Sequence, residues 1–137
     1  MKLWQQILLI LSLSFISAAI SVTFQPIEMT PKDPFAISAH DFKKLNYKNL
    51  ILLDVRSSEK FDQAHFPQAM HFDPSLWEES FGKLMESFTG DETIYTYCDT
   101  GCGSSKTVAQ QLRDAGLEKV FFIHNGWSAL KSKDLKE

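Results

Sequence analysis

An α/β domain with a mostly parallel sheet and helices on both faces is predicted by three features of the sequence. Short branched apolar runs alternate with segments of helical period, and the connections between runs are too long for hairpins. One run also passes through a glycine-spaced loop straight into a helical segment. In such sheets ligands bind beyond the carboxyl ends of the strands, near helix N-termini, which directs attention to Cys98. The 137 residues carry 14 Lys+Arg against 17 Asp+Glu, with 44% hydrophobic and 12% aromatic residues, enough for one core and a short appendage. At a net charge of -3, with both signs interspersed, there is no basic stripe to argue for a nucleic-acid partner. Two cysteines in a single CxxxC spacing make neither a disulfide framework nor a four-cysteine zinc site. His40, His71 and His124 fall in no recognisable ligand spacing, so no metal is expected.

The first element is an N-terminal hydrophobic helix. Residues 7–24 are 18 consecutive uncharged, mostly apolar residues behind Lys2 and Trp4. Ser17 and Ala19 suit the -3 and -1 positions of a signal-peptide cleavage site, whereas continued apolar character through Ile20, Val22 and Phe24 favours an uncleaved membrane anchor. Either reading puts the rest outside the cytoplasm, anchored, periplasmic or secreted, where thiols meet oxidising conditions. Residues 25–35, with Pro26, Pro31 and Pro34, read as a linker, residues 36–132 as the domain and residues 133–137 as a polar tail.

Within the domain, Ser38 and Asp41 form a capping-box-like start for a short helix with apolar Phe42 and Leu45. Residues 50–55 are a continuous apolar run, the pattern of a strand covered on both faces. A helical turn over 57–63 is broken at His65-Phe66-Pro67, and residues 69–72 give a second strand. Asp73-Pro74 starts a helix whose Leu76, Trp77, Phe81, Leu84, Met85 and Phe88 recur at helical spacing and read as core. Gly90-Asp91 makes a turn, 93–97 is a third strand, a helix runs from about 104 to 115 with Gly116 just past its end, and 119–124 is a fourth strand.

The loop Cys98-Asp99-Thr100-Gly101-Cys102-Gly103-Ser104 joins strand to helix. It can curl so that backbone N–H groups and the helix N-terminus favour an anion at its centre. A thiol at its rim has its pKa lowered and becomes a candidate nucleophile; the alternative is a small buried hydrophobe closing the strand.

The chain from about 36 to 132 resembles rhodanese-like, or sulfurtransferase, domains. Leu52-Leu53-Asp54-Val55-Arg56 resembles their first signature, and Ala64-His65-Phe66-Pro67-Gln68-Ala69 resembles their Gly-His-Ile-Pro-Gly-Ala segment. Asn125-Gly126-Trp127 with Ala129 resembles their closing Gly-Gly-Trp motif. The resemblance implies a single α/β domain and sulfane-sulfur transfer between a small sulfur donor and a thiol acceptor, without a cofactor. Cys98 would be the persulfide-forming nucleophile, and the backbone of Asp99, Thr100, Gly101, Cys102, Gly103 and Ser104 the substrate cradle. Many active members place Arg or Lys directly after the cysteine, or Arg five positions on. Asp99 and Gly103 stand there, which argues against efficient use of anionic thiosulfate. The related phosphatases carry Arg six positions on, where this chain has Ser104, so phosphoryl transfer is disfavoured.

Cys102 is either a resolving thiol or an incidental loop residue. Gly101 and Gly103 can let it reach Cys98, or a nest can turn it outwards. A thiol–disulfide carrier and a non-catalytic thiol-binding or docking module are therefore competing function classes. Asp54 and Arg56 read as structural support through an ion pair, with Arg56–Glu59 as the other pairing. His65 reads as a packed residue below the loop in preference to a general base, and Trp127 as a core anchor. Lys106 is either an anion support or solvated. Oligomeric state is not legible.

Overall fold

The computed structural model describes residues 3–5, 33–100 and 102–131. The apolar run at 7–24, most of the linker at 25–35, Gly101 and the tail at 133–137 lie outside the described residues. Among the described residues no helix is long and apolar enough to cross a membrane. The chain divides into two units, residues 1–32 and 33–137, and the second contains the whole α/β fold.

Its elements follow in order: β1 (Ala36–Ser38), α1 (Ala39–Lys43), β2 (Leu50–Asp54), α2 (Ser58–Gln63), β3 (Ala69–His71), α3 (Trp77–Ser87), β4 (Thr93–Tyr97), α4 (Ser104–Asp114), β5 (Val120–His124) and α5 (Gly126–Lys131). The sheet order is β1-β5-β4-β2-β3, and every pairing is parallel. Parallel strands need crossovers, and the helices that supply them cover both faces. On one face, side chains of α3 and α4 such as Leu84, Val108 and Leu112 pack on Leu53 and Ile94. On the other, Phe42 from α1 and Leu130 from α5 pack on Leu52, Tyr95 and Tyr97. This is why residues 50–55 carry no polar alternation.

The caps explain where helices begin. The Ser38 hydroxyl accepts from the Asp41 N–H at 3.0 Å and donates to the Asp41 carboxylate at 2.7 Å. Asp73 accepts from the Ser75 N–H at 2.8 Å, opening a 3-10 turn at Pro74–Leu76 before α3. Gly116 closes α4 at φ 101°, a conformation that favours glycine.

Two elements correct the sequence expectation. The sheet has five strands, not four: Ala36–Ser38 pairs with Phe122–His124 as an edge strand. Three residues running directly into a capping box carry too little periodicity to be told from helix entry. Similarly, Gly126–Lys131 forms a helix that opens on a glycine and spans under two turns, too short for a legible stripe.

Candidate functional site

β4 is flanked by β2 and β5, and its side chains alternate. Tyr95 and Tyr97 face the α1/α5 side, while Ile94 and Cys98 join the cluster under α3 and α4. Thr96 ties the strand to the following helix, its hydroxyl donating to the Ser105 carbonyl at 2.7 Å. The loop between them is thus anchored at both ends, and within it Cys98 and Cys102 form a disulfide with Cα atoms 6.0 Å apart. That separation lies inside the range a disulfide requires. Of the two outcomes left open by the spacing, the chain adopts the one in which the thiols meet. Cys98 is 4% exposed and Cys102 is half-buried.

Two of the described N–H groups of the loop are engaged within the loop itself. The Cys102 N–H donates to the Asp99 carbonyl at 3.1 Å, closing a turn. The Ser104 N–H, at the start of α4, points at the Cys102 sulfur at 3.4 Å. Thr100 is drawn towards the closing motif, its hydroxyl bonded to that of Ser128 and donating to the Asn125 carbonyl at 3.3 Å. Gly101 lies outside the described residues.

The closing motif supports the loop through backbone. The Trp127 N–H donates to the Cys98 carbonyl at 2.7 Å, and Gly126 sits directly against that carbonyl at φ 48°. A Cβ on Gly126 would lie 1.7 Å from the Cys98 oxygen, so only glycine fits without displacement. Asn125 also takes the left-handed conformation, at φ 61°. A side chain of this type tolerates it better than most.

Below the loop lies an ionic cluster. Asp54 is fully buried, and Arg56 grips its carboxylate with Nε at 2.9 Å and Nη2 at 2.6 Å, while Nη2 also donates to the Ala64 carbonyl at 2.7 Å. Of the two pairings foreseen for Arg56, Asp54 is the partner. Burial lowers the guanidinium's proton affinity, but the hydrogen bonds and charge of Asp54 outweigh it and hold Arg56 above its ordinary value. The Tyr97 hydroxyl donates to Asp54 at 2.6 Å and accepts from the Phe66 N–H at 3.1 Å. Desolvation, reinforced by Asp54, pushes the Tyr97 phenol well above its ordinary range. The guanidinium carbon of Arg56 stands 4.4 Å from the Trp127 ring centre, and Trp127 stacks on Tyr97 at 6.2 Å. Trp127 is half-buried and packs against the core cluster of Leu52, Tyr97 and Leu130, while its ring covers the Arg56 cation and its backbone N–H links the cluster to the Cys98 carbonyl.

Three polar residues have partners that the sequence reading did not supply. His65 is exposed: its ring stacks on Phe61 of α2 at 4.0 Å and Nδ1 meets the Phe61 carbonyl at 2.8 Å, which holds it against the end of that helix. The Asp99 carboxylate is ion-paired with Lys60 of α2. Sequence reasoning missed Lys60 because it lies 39 residues away and belongs to no motif. Lys106 is paired with Asp33 at 2.8 Å and is neither wholly solvated nor a bare anion support. Among the described residues no cluster of His, Cys, Asp and Glu could hold a metal ion.

A family model described as rhodanese-like domain matches residues 38–133. Among solved structures, the chain is similar to the BH2092 protein of Bacillus halodurans, with 21% identity, 70% of each chain covered and a TM-score of 0.60. The Alr3790 protein of Anabaena sp. shows 26% identity over 69% of this chain and 75% of that one, with a TM-score of 0.59. A rhodanese-like domain protein of Staphylococcus aureus shows 22% identity over 74% and 95%, with a TM-score of 0.56. With the family model spanning more than half of the chain, and strands β2 to β5, the buried Asp54–Arg56 pair and the cysteine loop all falling within the matched residues, the chain belongs to the rhodanese-like domain family.

Proposed function

We propose that this domain transfers sulfane sulfur through a persulfide on Cys98, with Cys102 as the resolving thiol. The single observation that carries the reading is that the strand-end cysteine and its neighbour four residues on are held within bonding distance in a loop anchored at both ends. In the reduced chain, the Cys98 thiolate attacks the outer sulfur of a donor and becomes a persulfide while the remainder of the donor leaves. The Cys102 thiolate then attacks the Cys98 sulfur, the Cys98–Cys102 bond forms, and the outer sulfur departs as hydrosulfide. Both cysteines can be served by this one step without a metal or cofactor. Alternatively the outer sulfur passes to a small thiol acceptor before Cys102 engages.

The same disulfide favours a second reading, a thiol–disulfide carrier, in which electrons move and no sulfur is transferred. Mass spectrometry of the reduced chain after exposure to a sulfane-sulfur donor separates the two. Cys102→Ser is expected to accumulate one extra sulfur on Cys98 and Cys98→Ser to load none. Loading of Cys102 in Cys98→Ser at the parental rate would overturn the assignment of nucleophile. We further place the domain on the non-cytoplasmic side of a membrane, on the strength of the apolar run at 7–24 behind Lys2.

A further inference from the structure

The two sulfurs of the disulfide differ in surroundings. Cys98 is almost fully enclosed, in the apolar cluster that includes Val55 and Val108. Cys102 borders a cleft of about 220 Å³ whose other walls include Gly103, Lys106, Phe122, His124 and Asn125. The cleft carries little net field, because the Lys106 ammonium is held by Asp33 at 2.8 Å and Asp99 on its rim is held by Lys60. It has room for a small sulfur compound and selects little by charge.

We infer that this cleft admits the small thiol that reopens the loop, and that the thiolate attacks the Cys102 sulfur, not that of Cys98. The inference rests on the reading above, in which the disulfide closes each cycle. The incoming thiolate bonds to the Cys102 sulfur, the Cys98–Cys102 bond breaks, and Cys98 leaves as a thiolate. A second thiolate takes the outer sulfur of the mixed disulfide, which releases Cys102 and a low-molecular-weight disulfide. Two thiols have then supplied the two electrons that reduce the protein, and solvent balances the protons.

Two effects compete over which sulfur is attacked. The Ser104 N–H directed at the Cys102 sulfur stabilises a Cys102 thiolate, making it the better leaving group and favouring attack on Cys98. Access acts the other way, since a nucleophile reaches Cys98 only after the packed side chains around it have moved. Both effects scale the rate, but a single N–H contact at 3.4 Å is a small leaving-group advantage beside the cost of opening the packing around a sulfur on a residue only 4% exposed, so access decides. The order also suits the cycle: Cys98 is freed first, ready for the next sulfur, while Cys102 is still capped.

Sulfite tests this directly, because each disulfide it cleaves keeps one S-sulfonate on the attacked sulfur and one free thiol on the other. The oxidised full chain is treated with sulfite in native buffer and quenched in acid. The free thiol is then alkylated and the chain cut before Asp99, which separates the two cysteines. S-sulfonate on Cys102 should exceed that on Cys98 by at least about tenfold, and 2-mercaptoethanol should leave its mixed disulfide on the same residue. Equal labelling, predominant labelling of Cys98, or resistance of the native chain to sulfite that cleaves it in urea would overturn the inference. Sulfur loading on Cys98 of the reduced chain is measured separately, so failure here and failure of the transfer reading are distinguishable.

Discussion

At Gly126 the whole closing motif turns on a missing methyl group. A Cβ there meets the Cys98 carbonyl at 1.7 Å, so Gly126→Ala must displace the loop and with it the Trp127 N–H bond at 2.7 Å. We expect a loss of more than about 2 kcal/mol in urea unfolding together with slower closure of the Cys98–Cys102 bond. A variant of parental stability and closure rate would show that the close approach is not required. Asp99 offers a finer test. Because Lys60 holds its carboxylate, the repulsion of a dianionic donor expected from Asp99 alone is partly balanced. Lys60→Ala should therefore slow sulfur loading from thiosulfate a few-fold and Asp99→Asn should raise it, both effects shrinking as salt screens the charges. Matching rates for the two variants at low ionic strength would remove the pair from the account.

At the scale of elements, the strand–loop–helix unit of β4 and α4 owes its shape to packing more than to its cross-link. The disulfide closes a ring only four residues apart in sequence, and a ring that small constrains little of the unfolded chain, on the order of 2 kcal/mol. Reduction should lower stability by no more than about that amount and leave far-UV and near-UV circular dichroism native. Unfolding on reduction would make the bond a structural staple, not a catalytic pair. This unit was also the most legible part of the sequence, since a branched run, two glycines and a helical stripe are all local signals. What was not legible has two physical causes, one long-range and one local. The edge strand Ala36–Ser38 is defined by its partner Phe122–His124, and Lys60 by an ion pair reached only through the fold. His65 took its place from Phe61 four residues earlier, a local stacking that belongs to no motif.

Across the whole molecule, the parallel sheet gathers the first signature, the cysteine loop and the closing motif at the carboxyl ends of β2, β4 and β5. Asp54 and Tyr97 lie opposite each other in register, which is why residues 43 apart can share a proton-bearing bond. The consequence is a pH dependence of stability. All three tyrosines are raised, each chiefly by burial, so they stay protonated in the folded chain at pH values where the unfolded chain has begun to ionise. The unfolded state then binds fewer protons, so their contribution is intact below about pH 10 and stability falls as pH rises above it. Tyr97→Phe should cost about 1–3 kcal/mol at neutral pH, by leaving Asp54 and the Phe66 N–H one partner short, and should flatten the alkaline fall. An alkaline limb as steep as the parent's would exclude Tyr97 as its main source.

Whether Cys98 accepts sulfur and Cys102 resolves it is read from counting hydrosulfide against disulfide in a single turnover. Fully reduced chain is mixed with a sulfane-sulfur donor in the absence of other thiols, and both products are followed in time. One hydrosulfide should be released for each Cys98–Cys102 bond formed, and neither product should come from Cys102→Ser, which halts with the extra sulfur on Cys98. Disulfide appearing without hydrosulfide, or hydrosulfide released by Cys102→Ser at the parental rate, would contradict that assignment.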